Sequence, residues 1–269
     1  MSDAVVVIRA VGGPTAVIEY GGLRLLTDPT FDQPGDYISE TGNILTKLAP
    51  PAFGPDQVGS VDVVLLSHDQ HADNLDDSGR AFLARAPLTL TTPAGARRLG
   101  GSADGLAPWQ TYELPVPSGG AIEVVAVPAR HGPEGCEPVT GDVTGFVLSG
   151  SGLPTLYVSG DNASLGVVRE IAARVGPVDV AVLFAGAVRT RLFDGALLTL
   201  DSNQTAEAAA ILGAGSTVPL HFDSWMHFSE GAAHLRAAFE KAGLIGGLML
   251  LEPGETAELH LPVRSDDPT

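Results

Sequence analysis

The sequence has one cysteine, few aromatic residues (6%), only 15 Lys plus Arg against 32 Asp plus Glu, and no long apolar run. Each shortage excludes something. A single cysteine closes no intrachain disulfide, and Cys136 stands in a Gly/Pro/Glu-rich loop rather than in a Cys-x-x-Cys or Cys/His spacing. A reducing compartment fits that usage. The net charge of -17 sets a long-range field against polyanions. The nearest approach to a basic patch, Arg97-Arg98, reads as a solvated helix end, so nucleic acid and anionic membranes are both disfavoured as partners. Residues 1–9 carry no basic leader, and their apolar run is far too short for a signal core or a membrane span, which makes the cytoplasm the expected location. There is no Gly-x-Ser-x-Gly elbow. Gly213-Ala214-Gly215 follows a helical pattern and precedes a strand, the reverse of a dinucleotide loop. Serine hydrolase and Rossmann enzyme are thereby set aside.

What is present is a chain of 269 residues, 44% hydrophobic, able to bury a sizeable core as one α/β domain spanning 1–269. Short strands at 5–10, 16–20 and 23–27 alternate with Gly/Pro turns and read as antiparallel neighbours. Residues 30–60 are rich in Pro and Gly and have no sustained period, which suggests a surface excursion or a lid. Further strands are expected at 61–66, 88–91, 121–127, 145–149, 155–159, 178–184, 217–221, 247–251 and 256–261. Helical spacing covers 76–84 and 165–175. Asp201 or Ser202 caps a helix stopped by Gly213, and Ser229 caps another that ends before Gly243.

The chemistry gathers where strands end. After the apolar run to Leu66 comes Ser67-His68-Asp69-Gln70-His71-Ala72-Asp73-Asn74, with two histidines and several carboxylates at a strand end and the turn that follows. Imidazole nitrogen and carboxylate oxygen are the donors that Zn, Mn and Fe accept, and a catalytic site needs at least three with a position left for water. His131, Asp161 and His221 stand at the ends of three other strands. One such histidine alone would be an ordinary surface or core residue; four strand ends together point to one shared edge. His234 and His260 read as structural. His227, in a loop beside Trp225, could reach over the site as a substrate contact.

The order of these segments, with Pro128-Ala129-Arg130-His131-Gly132, Tyr157-Val158-Ser159-Gly160-Asp161 and Val218-Pro219-Leu220-His221-Phe222, resembles the metallo-β-lactamase superfamily across nearly the whole chain. Residues 13–20 and Leu26-Thr27-Asp28-Pro29 look like the branch of ascorbate-phosphate lactonases and phospholipase-D-like phosphodiesterases. The resemblance implies a four-layer αβ/βα sandwich of two mostly antiparallel mixed sheets, helices on the outer faces, and a metal site along one edge. The family motif is His-x-His-x-Asp-His, and no single register reproduces it here. A one-residue insertion reconciles its halves, so His68, His71 and Asp73 are carried over as ligands together with His131, Asp161 and His221. Asn74 falls in the place of the last motif histidine and is carried as a seventh metal-site residue, although a neutral amide is a poor zinc ligand.

The function so implied is hydrolysis of a small ester, lactone or related carbonyl substrate by a metal-activated water that Asp73 orients, with His227 as the further catalytic candidate. One or two divalent ions are expected, zinc first and manganese or iron as alternatives, the second site being weakened by Asn74. A metal-dependent phosphodiesterase is the close rival, and a non-catalytic metal- or ligand-binding protein the alternative from another class. Self-association into a homo-oligomer is left open.

Overall fold

A computed structural model describes residues 4–38, 44–117 and 119–261. Its strands are β1 (Ala4–Gly12), β2 (Thr15–Tyr20), β3 (Leu23–Thr27), β4 (Gly35–Ile38), β5 (Ile44–Lys47), β6 (Val63–Leu65), β7 (Thr89–Thr91), β8 (Ala103–Gly105), β9 (Thr111–Pro115), β10 (Ala121–Ala129), β11 (Val143–Ser149), β12 (Leu156–Val158), β13 (Val180–Phe184), β14 (Ser216–Leu220) and β15 (Thr256–Leu261). The helices are α1 (Pro55–Val58), α2 (Asp77–Leu83), α3 (Pro93–Leu99), α4 (Glu137–Thr140), α5 (Leu165–Val175), α6 (Ser202–Leu212) and α7 (Ala232–Ala242).

Two mixed sheets face each other, one in the order β15-β1-β2-β3-β6-β7-β8 and the other β14-β13-β12-β11-β10-β9. Connection length explains the change of direction within each. Glycine turns join β1 to β2 and β2 to β3, and these pairs are antiparallel. β9 to β12 also pair antiparallel, whereas β6 with β7, β7 with β8, β12 with β13 and β13 with β14 are parallel, because α2, α3, α5 and α6 carry the chain back between them.

The side-chain period of two sorts the apolar residues into layers. Val6, Ile8, Ile18, Leu25 and Leu65 of one sheet meet Val124, Phe146, Leu148, Val182 and Leu220 of the other in the central core. Val17, Leu26 and Val64 turn the opposite way and pack on Phe82 and Leu83 of α2. Val147, Tyr157 and Leu183 do the same beneath Val168 and Ile171 of α5 and Leu212 of α6. The result is the four-layer αβ/βα sandwich. No helix among the described residues is long and apolar enough to cross a membrane.

Several elements depart from the sequence reading, which named no element at α3, β8, β9 or α4. Residues 30–60 hold a two-stranded hairpin, β4 with β5, and the short α1. Residues 248–251 are not a strand: a 3-10 turn at Ile245–Gly247 precedes a single bridge between Leu248 and Thr217. The last helix is capped by Gly231, while the Ser229 hydroxyl donates to the Ala187 carbonyl at 2.6 Å. Asp201, by contrast, caps α6 with Gln204 in a reciprocal box.

Candidate metal centre

Parallel strands within a sheet end at a common edge: the carboxyl ends of β3 and β6 in one sheet carry Asp28 and His68, and those of β12 and β14 in the other carry Asp161 and His221. After β6 the chain passes into a turn in which the N–H groups of Asn74 and Leu75 donate to the His71 carbonyl at 3.1 and 2.9 Å. The turn folds His71 back onto His68, with His68 Nε2 and His71 Nδ1 2.8 Å apart. His131 joins them from the end of β10. One donor atom from each of His68, His71, His131 and Asp161 lies within 4.8 Å of every other.

Two glycines allow the strand ends to approach so closely. Gly160 sits at φ +57, and a Cβ there would stand 2.6 Å from the Thr144 carbonyl oxygen and 2.7 Å from Ser67 Cβ. At Gly186 a Cβ would stand 2.5 Å from the His221 carbonyl oxygen.

Hydrogen bonds behind the rings fix which nitrogens face inward. His131 Nδ1 is 2.8 Å from the Leu198 carbonyl, which can only accept, so Nδ1 carries a proton and Nε2 is the nitrogen left for a ligand. Ser67 Oγ donates to Asp28 Oδ2 at 2.5 Å and therefore accepts from His68 Nδ1 at 2.9 Å, leaving His68 Nε2 free to ligate. That Nε2 faces His71 Nδ1, and two imidazole nitrogens in such contact need a proton or a cation between them. Burial first, then the neighbouring histidines, holds the pKa of His68 well below the ordinary value and lowers that of His71. Both rings are thus neutral, the form that binds metal. Burial alone would raise Asp161 and Asp73. His221 and His131 outweigh it at Asp161, and hydrogen bonds from His221 and His227 outweigh it at Asp73, so both carboxyls lie below the usual range. Burial pulls His221 down, but Asp161 and Asp73 push its pKa up to about 10. Neutral imidazoles at His68 and His71 beside the ionised Asp161 are donors that divalent transition ions accept, and these residues with His131 fit such an ion, while His221 is charged beside Asp73 and Asp161.

The remaining motif residues separate. Asp73 Oδ2 lies 3.0 Å from His227 Nε2 and 3.4 Å from His221 Nε2. Gln70 is exposed and its side chain lies against Gly141. Asn74 turns its amide nitrogen to Asp28 Oδ2 (2.9 Å) and Asp161 Oδ1 (3.4 Å), and its oxygen, which a metal would need, is buried without a partner. His234 and His260 belong to α7 and β15, away from the cluster.

Sequence reasoning met Asp28 as a turn residue and within Leu26-Thr27-Asp28-Pro29, and gave it no place in the site. Asp28 accepts from Ser67 N at 2.7 Å, from Ser67 Oγ and from Asn74, so it ties the motif to β3. Burial raises its pKa to about 7 against those hydrogen bonds. The findable signal was an aspartate directly after a strand that pairs in parallel with β6, where Thr27 stands opposite Leu65.

Fold and cluster together define the class, a metal-dependent hydrolase of the metallo-β-lactamase superfamily. The Beta-lactamase superfamily domain matches residues 23–222, and the chain belongs to that family. It is 25% identical over 206 residues to a UPF0173 metal-dependent hydrolase of Pyrococcus furiosus, covering 76% of this chain and 84% of the relative. A second protein of that name, from Pyrococcus abyssi, is 24% identical over 94% of this chain and 99% of its own length. Among solved structures, the isothiocyanate hydrolase from Delia radicum gut bacteria superposes with a TM-score of 0.77 at 20% identity, over 93% of this chain and 98% of that one. At that identity the likeness speaks for the fold.

Proposed function

We propose that His68, His71 and His131, with Asp161, hold a divalent transition ion, zinc before manganese or iron, and that the protein hydrolyses a small ester, lactone or related carbonyl compound. The observation that carries this reading is the convergence of three imidazoles and a carboxylate within 4.8 Å where the strands end. An ion held there supplies Lewis acidity and lowers the pKa of a coordinated water from about 16 toward about 7. Asp73 is ionised, its Oδ2 is engaged by His227, and Oδ1 is left to orient the attacking water and accept its proton. Leu198 and Ser67 hold the His131 and His68 rings from behind and keep their Nε2 atoms directed inward. The charge of -17 favours a neutral carbonyl substrate over a phosphodiester, which the same ion could also serve.

The test begins with elemental analysis of purified protein. At least one transition ion per chain is expected, and His131→Ala should lose it; full occupancy in that variant would remove the proposed site. A panel of lactones, esters and phosphodiesters follows. Turnover of phosphodiesters alone would reverse the substrate order, and no turnover by metal-loaded protein would favour a binding role.

A further inference from the structure

Asp69 and Gln70 separate the two histidines that open the metal cluster, one residue more than a His-x-His spacing, and the rings must still meet at 2.8 Å. Among the described residues, no backbone hydrogen bond links residues 68–71 to one another; the bonded turn begins only at the His71 carbonyl. Side chains of the outer helices fix the path between the rings instead. The Asp69 carboxylate is buried, with 3% of the side chain exposed, and takes a fork of bonds from Arg98 of α3: Nε stands 3.0 Å from Oδ2 and Nη2 2.5 Å from Oδ1. Arg80 of α2 donates through Nη2 to the Asp69 carbonyl at 2.9 Å. Gly95 gives α3 room to close on this carboxylate, since a Cβ there would stand 3.2 Å from Asp69 Oδ1. Arg98 is therefore not the free cation of a solvated helix end. Two of only 15 Lys plus Arg hold one residue of the motif turn.

We propose that Arg98 and Asp69 form a clamp that positions His71 against His68, so that α3, a helix of the outer layer that offers no ligand, sets the affinity of the metal site. This rests on the reading of His68, His71, His131 and Asp161 as a metal site. A guanidinium meets a carboxylate with two parallel bonds that fix direction as well as distance, which a lysine ammonium does not. With its side chain held from α3 and its carbonyl from α2, Asp69 leaves the turn little freedom, and less ordering remains to be done when an ion binds. Arg98 acts through Asp69 and is a positioning residue. Charge and geometry predict opposite results for its loss. Without Arg98 a buried carboxylate stands uncompensated next to His68, and charge alone would leave zinc binding equal or tighter. Loss of the clamp loosens it.

The experiment is the zinc affinity of the folded full-length chain, measured by competition with a chromophoric chelator, with circular dichroism and melting temperature recorded on each sample. Arg98→Ala should weaken zinc about 10- to 100-fold, the loss that follows when the support of a ligand is removed. Arg98→Lys, at a side chain already 43% exposed, keeps the charge, guards against a folding defect and loses the fork, so it should weaken zinc in the same direction. Asp69→Asn combined with Arg98→Ala should bind no more weakly than the weaker single variant, because the two act as one unit. Arg85→Ala, which breaks the exposed Arg85–Asp56 pair, should leave the affinity unchanged. Zinc binding equal to or tighter than that of the wild type in both Arg98 variants would overturn the proposal and leave the metal site standing. Additive losses in the double variant, or an equal loss in Arg85→Ala, would overturn it as well. No zinc in the wild type would take down the metal site and the clamp with it.

Discussion

At the scale of single residues, the distinction that matters is between groups that can touch an ion or substrate and groups that hold them. Asp73 belongs to the first kind. Asp73→Asn keeps the size and removes the charge that would take a proton from water, and general-base help is worth typically about 10² to 10⁴ in rate. Turnover of the substrate found by the panel should fall by a factor of that order, with metal content measured in the same sample. Nearly unchanged turnover would make Asp73 structural. Most of these residues were legible as chemistry in the sequence, since histidine and aspartate at strand ends are conspicuous. Which of them faced which was not legible. The choice between Gln70 and His71 depended on a turn closed by two N–H groups on one carbonyl, and the place of His227 depended on a loop fixed by a distant hairpin.

The elements show why that hairpin escaped the sequence reading. β4 and β5 have short strands exposed on much of both faces, so neither shows the alternation that marks a half-buried strand. Their anchorage is a tertiary matter. Lys47 at the end of β5 is buried, with Nζ 3.0 Å from Asp76 Oδ2, and the same carboxylate accepts from the N–H groups of Phe31, Asp32 and Gly79. One side chain thus caps α2, holds residues 31–32 and pins the hairpin against the segment that leads to His227. Removing one partner of a buried ion pair costs about 3 to 5 kcal/mol. Lys47→Ala should lower the urea midpoint by an amount matching roughly 3 kcal/mol, the lower end, because three N–H donors still serve Asp76. A loss under about 1 kcal/mol would mean that those donors already satisfy the carboxylate. α3 was missed for a similar reason: only Gly95 of its seven residues is buried, which leaves no apolar stripe to read.

For the whole molecule, the metal reading has a thermodynamic consequence that needs no substrate. Any ion that binds only the folded chain stabilises it by mass action, by about 4 kcal/mol at a free concentration 1,000 times Kd. Removal of metal with a chelator should lower the melting temperature, and zinc added back after dialysis should restore it. A melting curve indifferent to both treatments would show that the clustered imidazoles and carboxylates bind nothing that matters to folding.

The sequence by itself determined the layers. Period-two strands, helices with one apolar face and glycine stops are local patterns, and they fix which side of each element must be buried; even the pairing of Asp201 with Gln204 could be read from spacing. It also determined the donor chemistry, because residue types at strand ends do not depend on distant contacts. Only the tertiary structure decided how those donors were divided. Asp161 came to face both His131 and His221, Asn74 was drawn to Asp28, and His227 was set against Asp73, 154 positions away in the chain. Such meetings depend on parallel strands ending at one edge and on glycines that let their backbones touch, and a separation of that length leaves no local trace in the order of residues.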